Sequence, residues 1–383
     1  MSLPLAGVLV VDFSQFLAGP YASLRLQDLG ARVIKVEKPD SGDLCRSLYL
    51  SDTILDQDST LFHAINRGKE SIVLNLKTEA GRLKAQRLAS KANIVLQNFR
   101  PGVIERLGLD FDTIEALNPK VVYGSVSGYG PHGPWRDLPG QDLLAQARSG
   151  LMWLSGNADD GPVPVGLPLA DLLAGATLVQ GVLAGLYRQA TKNQSTRVET
   201  SLLECLADAQ FEFLTTYLNN GHALPQRESK GSAHAYLAAP YGIYETRQGQ
   251  LALAMTPLDQ LADALEEPLL EPFANDPKSG FRHREDIRAI IANRLRRLDA
   301  RSWENRLTEK GIWCARVLQW PELLSSETFK ALDMMSDPLN AGDAQATLMR
   351  SPLRIDGVRA AAEAMGPVLN ANGDAVSKEF GLD

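Results

Sequence analysis

The chain has 383 residues, too many for one minimal core, and its 44% hydrophobic and 22% charged shares are ordinary globular values that exclude a disordered or fibrous protein. A formal net charge of −7 and a pI near 5.4 leave no whole-protein basic field, so neither nucleic acid nor an anionic membrane is an expected partner and any phosphate binding must be local. The three cysteines, Cys45, Cys205 and Cys314, lie far apart without metal-ligand spacing, which argues against a disulfide framework or a zinc site.

In chain order, the N-terminus lacks the basic start, apolar run and cleavage site of a signal peptide and reads as a first strand, so a cytoplasmic location is expected. Residues 8–13, 33–36, 72–76, 94–97 and 121–125 are short β-branched runs separated by helix-periodic segments such as 79–90. That alternation predicts an α/β fold with a parallel sheet and crossover helices. The helix after the first strand starts at Pro20, where a missing N–H costs nothing, and ends near Gly30. From Gln141 onward the pattern turns helical, over 142–149, 171–188 and 202–218. The apolar run 172–187 is short for a bilayer span and is interrupted by Gln180, which predicts a buried core helix. Gly181 and Gly185 within it would let another backbone approach closely. A polar stretch at 225–231 marks a linker to a second domain. There, 241–246 and 250–255 read as a hairpin about the Arg247-Gln248-Gly249 turn, and 284–298 as a helix with Ile287, Ile290, Ile291 and Leu295 on one face. The tail from about residue 320 is punctuated by proline, and either a return to the first domain or an extension over a partner subunit would suit it.

The turn after the first strand, SQFLAGP, lacks the glycines that bring a pyrophosphate to a helix N-terminus, so an NAD site is not expected. No P-loop, HExxH or GxSxG motif occurs. Lys38, Lys77, Arg100 and Arg106 fall at or just beyond predicted strand ends, where an open parallel sheet takes its ligands; they are either phosphate partners or ordinary surface charge. Asp171 is, by pattern, either the N-cap of an apolar helix or a nucleophilic carboxylate that the helix end keeps ionised at neutral pH. His132, in GYGPHGPW, and His234, in GSAHAYLAAP, sit in loops without an evident partner.

Six ordered segments carry more: VDFSQFLAGPYASLRLQDLGARVIKVEKPDSGD, NRGKESIVLNLK, NFRPGVIERLGLD, NPKVVYGSVSGYG, GQDLLAQARSG and PVGLPLADLLAG. Together they resemble the class III CoA-transferase family (CaiB/BaiF type), whose relatives include formyl-CoA transferase, carnitine CoA-transferase and α-methylacyl-CoA racemase. The resemblance is strong over residues 4–210 and weaker beyond. It implies a large Rossmann-like domain with a parallel sheet, over 1–224 and completed by about 321–383, with a smaller α+β domain over 225–320, in an interlocked homodimer. It also implies transfer of coenzyme A from an acyl-CoA to a carboxylic acid, with the CoA thioester as substrate and no permanently bound cofactor.

By the same resemblance the nucleophile falls on Asp171, passing through a mixed anhydride and an aspartyl-CoA thioester, with Gln15, Leu17 and Gln141 as active-site neighbours. CoA contacts fall on Phe16, Lys38, Leu74, Lys77, Asn98, Phe99 and Arg106. Backbone N–H groups near 15–18, or those of the Gly231 loop, are candidate oxyanion donors, and Arg46 or Arg67 are candidates for holding a second carboxylate. Leu17 stands where formyl-CoA transferase has glutamine, and its glycine run has no counterpart at 233–239, so a formyl-CoA:oxalate activity is not expected. Gln141 stands where the racemases have histidine; an amide takes no proton at neutral pH, which favours transfer over racemisation. An acyl-CoA racemase or epimerase and an inactive CoA-binding paralogue are the alternatives.

Overall fold

The β-branched runs pair with one another in parallel. In the computed structural model, which describes residues 3–48, 53–276, 278–341, 344–360 and 364–382, the strands are β1 (Leu9–Asp12), β2 (Arg32–Glu37), β3 (Glu70–Val73), β4 (Ile94–Gln97), β5 (Val122–Ser127) and β6 (Thr196–Ser201), followed by β7 (Gly242–Glu245), β8 (Gln250–Leu253) and β9 (Cys314–Arg316). The helices used below are α1 (Ala18–Asp28), α2 (Glu79–Ala89), α3 (Asp142–Ser149), α4 (Leu169–Lys192), α5 (Leu202–Ala209), α6 (Phe211–Asn219), α7 (Arg284–Leu295) and α8 (Gly373–Phe380).

The chain divides into two compact units, one of Met1–Arg148, Leu167–Ala209 and Thr328–Asp383, the other of Ser149–Gly166 and Gln210–Glu327. Residues 149–166 and 210–224, expected with the large domain, group with the second unit. Polar ties account for this: Gln210 donates to the Ser149 carbonyl at 3.1 Å, and Arg227 donates to the carbonyls of Ser155 and Ala158.

In the first unit the six parallel strands lie in the order β3-β2-β1-β4-β5-β6. Val10 pairs with Val33 on one side and Ile94 on the other, and such residues are buried on both faces, which is why these strands read as continuous apolar runs. Val11, Ile34, Ile72, Val95 and Tyr123 form the core with Ala85 and Leu88 of α2. The order reverses between β1 and β4, so the ligand crevice expected of such a sheet opens at the carboxyl ends of those two strands. Strand β6, TRVETS, is an edge strand with alternating exposure and was absent from the expected set.

The opposite edge, β3, is closed by the returning tail. Asn372 and Asn370 accept from the Ser71 and Val73 N–H groups at 3.0 and 2.8 Å, and Val376 and Leu382 enter the core. Of the two courses open to the tail, its last helix thus takes the return to the first unit.

Helix α4 is long and apolar enough to cross a membrane, yet Ala174, Leu178 and Val182 are fully buried and it packs on α1, β5 and β6, as the core helix its composition predicts. Its glycines act differently from expectation. A Cβ at Gly181 would meet the Val198 side chain and one at Gly185 that of Val122, so these two fit α4 to the sheet. The close backbone approach occurs at Gly175, where a Cβ would lie 2.6 Å from the Ala18 carbonyl oxygen of α1.

In the second unit, β7 and β8 form the expected hairpin and β9 adds a third antiparallel strand. Leu251 and Leu253 pack beneath Ile287, Ile291 and Leu295 of α7 and beside Trp303. The predicted helix 202–218 is broken at Gln210 into α5 and α6.

Candidate active site

The turn between β1 and α1 is held by side chains rather than by regular structure. Asp12, the last residue of β1, accepts from the Ser14 N–H at 2.9 Å. Asn98, just past β4, accepts from the Gln15 N–H at 2.8 Å and donates to the Gln15 carbonyl at 2.7 Å. Phe16 has φ +70°, a left-handed conformation costly for an aromatic residue, and its N–H donates to Asp43 at 3.0 Å. Asp43 is in turn 2.6 Å from the Lys35 ammonium, both side chains fully buried, and Lys35 also donates to the Ser14 carbonyl at 2.9 Å. The Gln15 and Phe16 N–H groups are therefore occupied and do not serve as oxyanion donors.

This anchored turn aims the start of α1 at Asp171, whose carboxylate accepts from the Ala18 N–H. Asp171 is only 8% exposed. It is not the cap of its helix: α4 begins at Leu169 after Pro168, and Asp171 is its third residue. The capping is done from α3, where Asp142 accepts from the Ala170 N–H at 2.6 Å and the Asp171 N–H at 3.3 Å, its other oxygen accepting from Gln146 at 2.6 Å. Burial, with the Asp142 carboxylate adding to it and the Ala18 N–H opposing, pushes Asp171 up to about 7. The helix end that was expected to keep Asp171 ionised is opposed by burial and a like charge, which leave the carboxylate partly ionised at neutral pH.

Other buried carboxylates of this unit behave oppositely. Burial works against the ionised form in Asp12, Glu37 and Asp43 too, but Lys69 and Lys35 beside Asp12, Arg46 and Lys35 beside Glu37, and Lys35 beside Asp43 hold all three below the usual range. Among the described residues Asp171 has no such cation.

The remaining predicted residues distribute along the carboxyl ends of the strands. Phe16 follows β1, Lys38 follows β2, Leu74 and Lys77 follow β3, and Asn98 and Phe99 follow β4. Lys38, Lys77 and Arg106 are exposed, Phe16, Asn98 and Phe99 half-buried, and Leu74 is a core residue against β2. Leu17 is buried beside Leu24 and Phe62. Gln141 is exposed and immediately precedes the capping Asp142. A crevice of about 350 Å³ runs along the ends of β4, β5 and β6, lined among others by Phe99, Arg100, Ser125, Arg136 and Arg197.

Arg46 and Arg67 are not available to a substrate. Arg46 is buried in a bidentate pair with Glu37 and reaches Asp58 at 2.6 Å, while Arg67 is buried against Asp28 at 2.6 Å. His132 is exposed. His234 has the partners its sequence context did not show: its ring lies 4.4 Å from that of Phe213, Nδ1 accepts from the Tyr236 N–H at 3.2 Å, and Nε2 is 3.6 Å from Glu212. In the Gly231 loop, the Ser232 N–H is taken by Asn157 at 3.3 Å and the Gly231 carbonyl by Arg288 at 2.9 Å.

Asp142 is the functional candidate that reading the sequence passed over. Its signal was present as the acid next to Gln141 in GQDLLAQ, but the helix it caps lies 28 residues on.

A sequence model of CoA-transferase family III matches residues 5–373. The acetyl-CoA:oxalate CoA-transferase of Acetobacter aceti is 31% identical over 388 residues, covering 98% of this chain and 96% of that one. The succinate–glutarate CoA-transferase of Agrobacterium fabrum is 33% identical over 76% of this chain and 74% of its own. The crystal structure of a CAIB/BAIF family protein from Brucella suis superposes with a TM-score of 0.84 at 28% identity, covering 99% of this chain and all of that one. The family model spans nearly the whole chain and the relatives are 31–33% identical over three quarters of it or more, which settles the classification: the chain is an enzyme of CoA-transferase family III, the class III acyl-CoA:carboxylate CoA-transferases.

Proposed function

We propose that the enzyme moves coenzyme A from an acyl-CoA donor to a carboxylic acid with Asp171 as the covalent nucleophile. The observation that carries this reading is the environment of Asp171: a buried carboxylate facing an N–H donor and a second carboxylate, without the cation that accompanies Asp12, Glu37 and Asp43. A carboxylate raised to about 7 is a stronger nucleophile than an ordinary one and still substantially ionised at neutral pH.

In the proposed sequence, a carboxylate oxygen of Asp171 attacks the thioester carbonyl, the C–S bond breaks and CoA thiolate leaves a mixed anhydride. The thiolate attacks the aspartyl carbonyl, expelling the donor acid and forming aspartyl-CoA. The acceptor carboxylate then attacks aspartyl-CoA, releasing thiolate again, and the thiolate takes the acceptor acyl group and frees Asp171. Each intermediate is hydrolysable, so burial of Asp171 protects the acyl bond from water. Among the described residues the Leu17 N–H is left without a protein partner in the 14–17 turn, which makes it the oxyanion donor of this reading. Phe16, Asn98, Phe99 and Leu74 would contact CoA at the strand ends, with Lys38, Lys77 and Arg106 meeting its phosphates.

The acids in the relatives' names, oxalate and glutarate, are dicarboxylates, and the acceptor proposed here is of that class. The proposed state is a cytoplasmic, interlocked homodimer. The association is supported by large apolar side chains left open to solvent on this chain, among them Tyr187, Phe211, Leu218, Leu224, Trp313 and Trp320.

The test is incubation of a succinyl-CoA donor, and separately of a 2-methylacyl-CoA, with a panel of mono- and dicarboxylic acids in deuterated water. Transfer predicts a new acyl-CoA only when an acceptor is present, and no α-deuterium. Acceptor-independent α-deuteration would replace transfer with racemisation.

A further inference from the structure

We propose that Asp142 is a positioning residue for the nucleophile, fixing the first turn of α4 and placing a second carboxylate beside Asp171. The inference rests on the reading of Asp171 as nucleophile. Pro168 precedes α4 without offering a side-chain cap, so the first N–H groups of a 24-residue helix must be met from elsewhere. Asp142 meets two of them, at 2.6 Å and 3.3 Å, from the start of a different helix. Gln146, one turn further along α3 and buried, donates 2.6 Å to the other oxygen and so fixes the carboxylate plane.

The two roles are separable. The hydrogen bonds orient Asp171 by holding the backbone that carries it. The charge acts through space, disfavouring ionisation of Asp171 and raising its basicity. The titratable groups on the elements packed against α4 do not supply that charge. Helix α1 brings Tyr21, whose ring lies near Gly175, and Arg25, which sits 4.5 Å over that ring and is paired with Asp28. Strand β6 brings Glu199, beside Arg197, and α5 brings Glu204, held by Ser201. Among the described residues Asp142 is the charged side chain that raises Asp171.

Asp142→Asn retains an oxygen that accepts the two N–H groups and removes the charge, whereas Asp142→Ala removes both. The experiment measures kcat/KM for CoA transfer from pH 5 to 9 in wild type and both variants, together with hydroxylamine trapping of the aspartyl intermediate. Asp142→Asn is expected to fold, to form the adduct and to move the acid limb down by roughly one pH unit. Asp142→Ala is expected to lose at least about tenfold in rate across the range, through misplacement of the nucleophile. An Asp142→Asn profile superimposable on wild type overturns the charge role, and an Asp142→Ala enzyme with wild-type rates overturns the positioning role. Wild-type enzyme that turns over without any adduct on Asp171 overturns instead the reading on which both depend.

Discussion

The Ala18 N–H at the start of α1 donates to the Asp171 carboxylate near the start of α4, so two helix N-termini converge on one acid. Positive helix ends would by themselves keep that acid ionised. Burial and the Asp142 carboxylate oppose them and leave Asp171 at about 7.

Activity should therefore follow the ionisation of Asp171. The nucleophile is the carboxylate, so kcat/KM should rise tenfold per pH unit below about 7 and level off above it. A pH–rate profile flat from pH 5 to 8 would show that Asp171 titrates well below this range or does not attack.

Removing the charge should stabilise the protein. Because the folded carboxyl group is raised from 3.8 to about 7, the native state binds more protons than the unfolded state between those values, and stability falls as pH rises through that window. About three pK units at about 1.4 kcal/mol each set a ceiling on the order of 4 kcal/mol. Asp171→Asn keeps the shape without the charge, so its melting temperature should exceed that of wild type by several degrees at pH 8, and by less at pH 5. Transfer activity in the same variant should fall by about a thousandfold or more.

Arg46 should matter to folding and not to acceptor recognition. Its truncation to alanine strands the buried Glu37 carboxylate and should cost about 3–5 kcal/mol, read in urea unfolding. A stable Arg46→Ala enzyme with a raised KM for a dicarboxylate alone would return Arg46 to the substrate site.

Lys38, Lys77 and Arg106 are exposed, so their replacement should leave stability nearly unchanged. Each alanine variant should raise KM for the acyl-CoA about three- to tenfold, with the difference shrinking at high salt as screening weakens the wild-type contact. Equal effects on CoA and on a phosphate-free pantetheine thioester would argue against phosphate binding.

The large sheet was legible because β1 to β5 are covered on both faces and must be written as apolar runs. Strand β6 was not, since at the sheet edge only Val198 of TRVETS needs an apolar identity and the pairing with β5 is made by backbone groups. Asp171 stood out in the sequence as an acid before an apolar helix, yet its state depends on Asp142 and Ala18, which folding alone brings to it. Arg46 misled for a related reason. An arginine in the segment after β2 reads as a free cation until Glu37 and Asp58 are seen to enclose it.

The central claim is that Asp171 carries the acyl group and then coenzyme A. Wild-type enzyme mixed with acyl-CoA and quenched with hydroxylamine should yield a hydroxamate on the peptide containing Asp171, found by mass spectrometric peptide mapping and lost in Asp171→Ala. Full transfer activity with that peptide unmodified, or an Asp171→Ala enzyme that still turns over at the wild-type rate, would contradict the account.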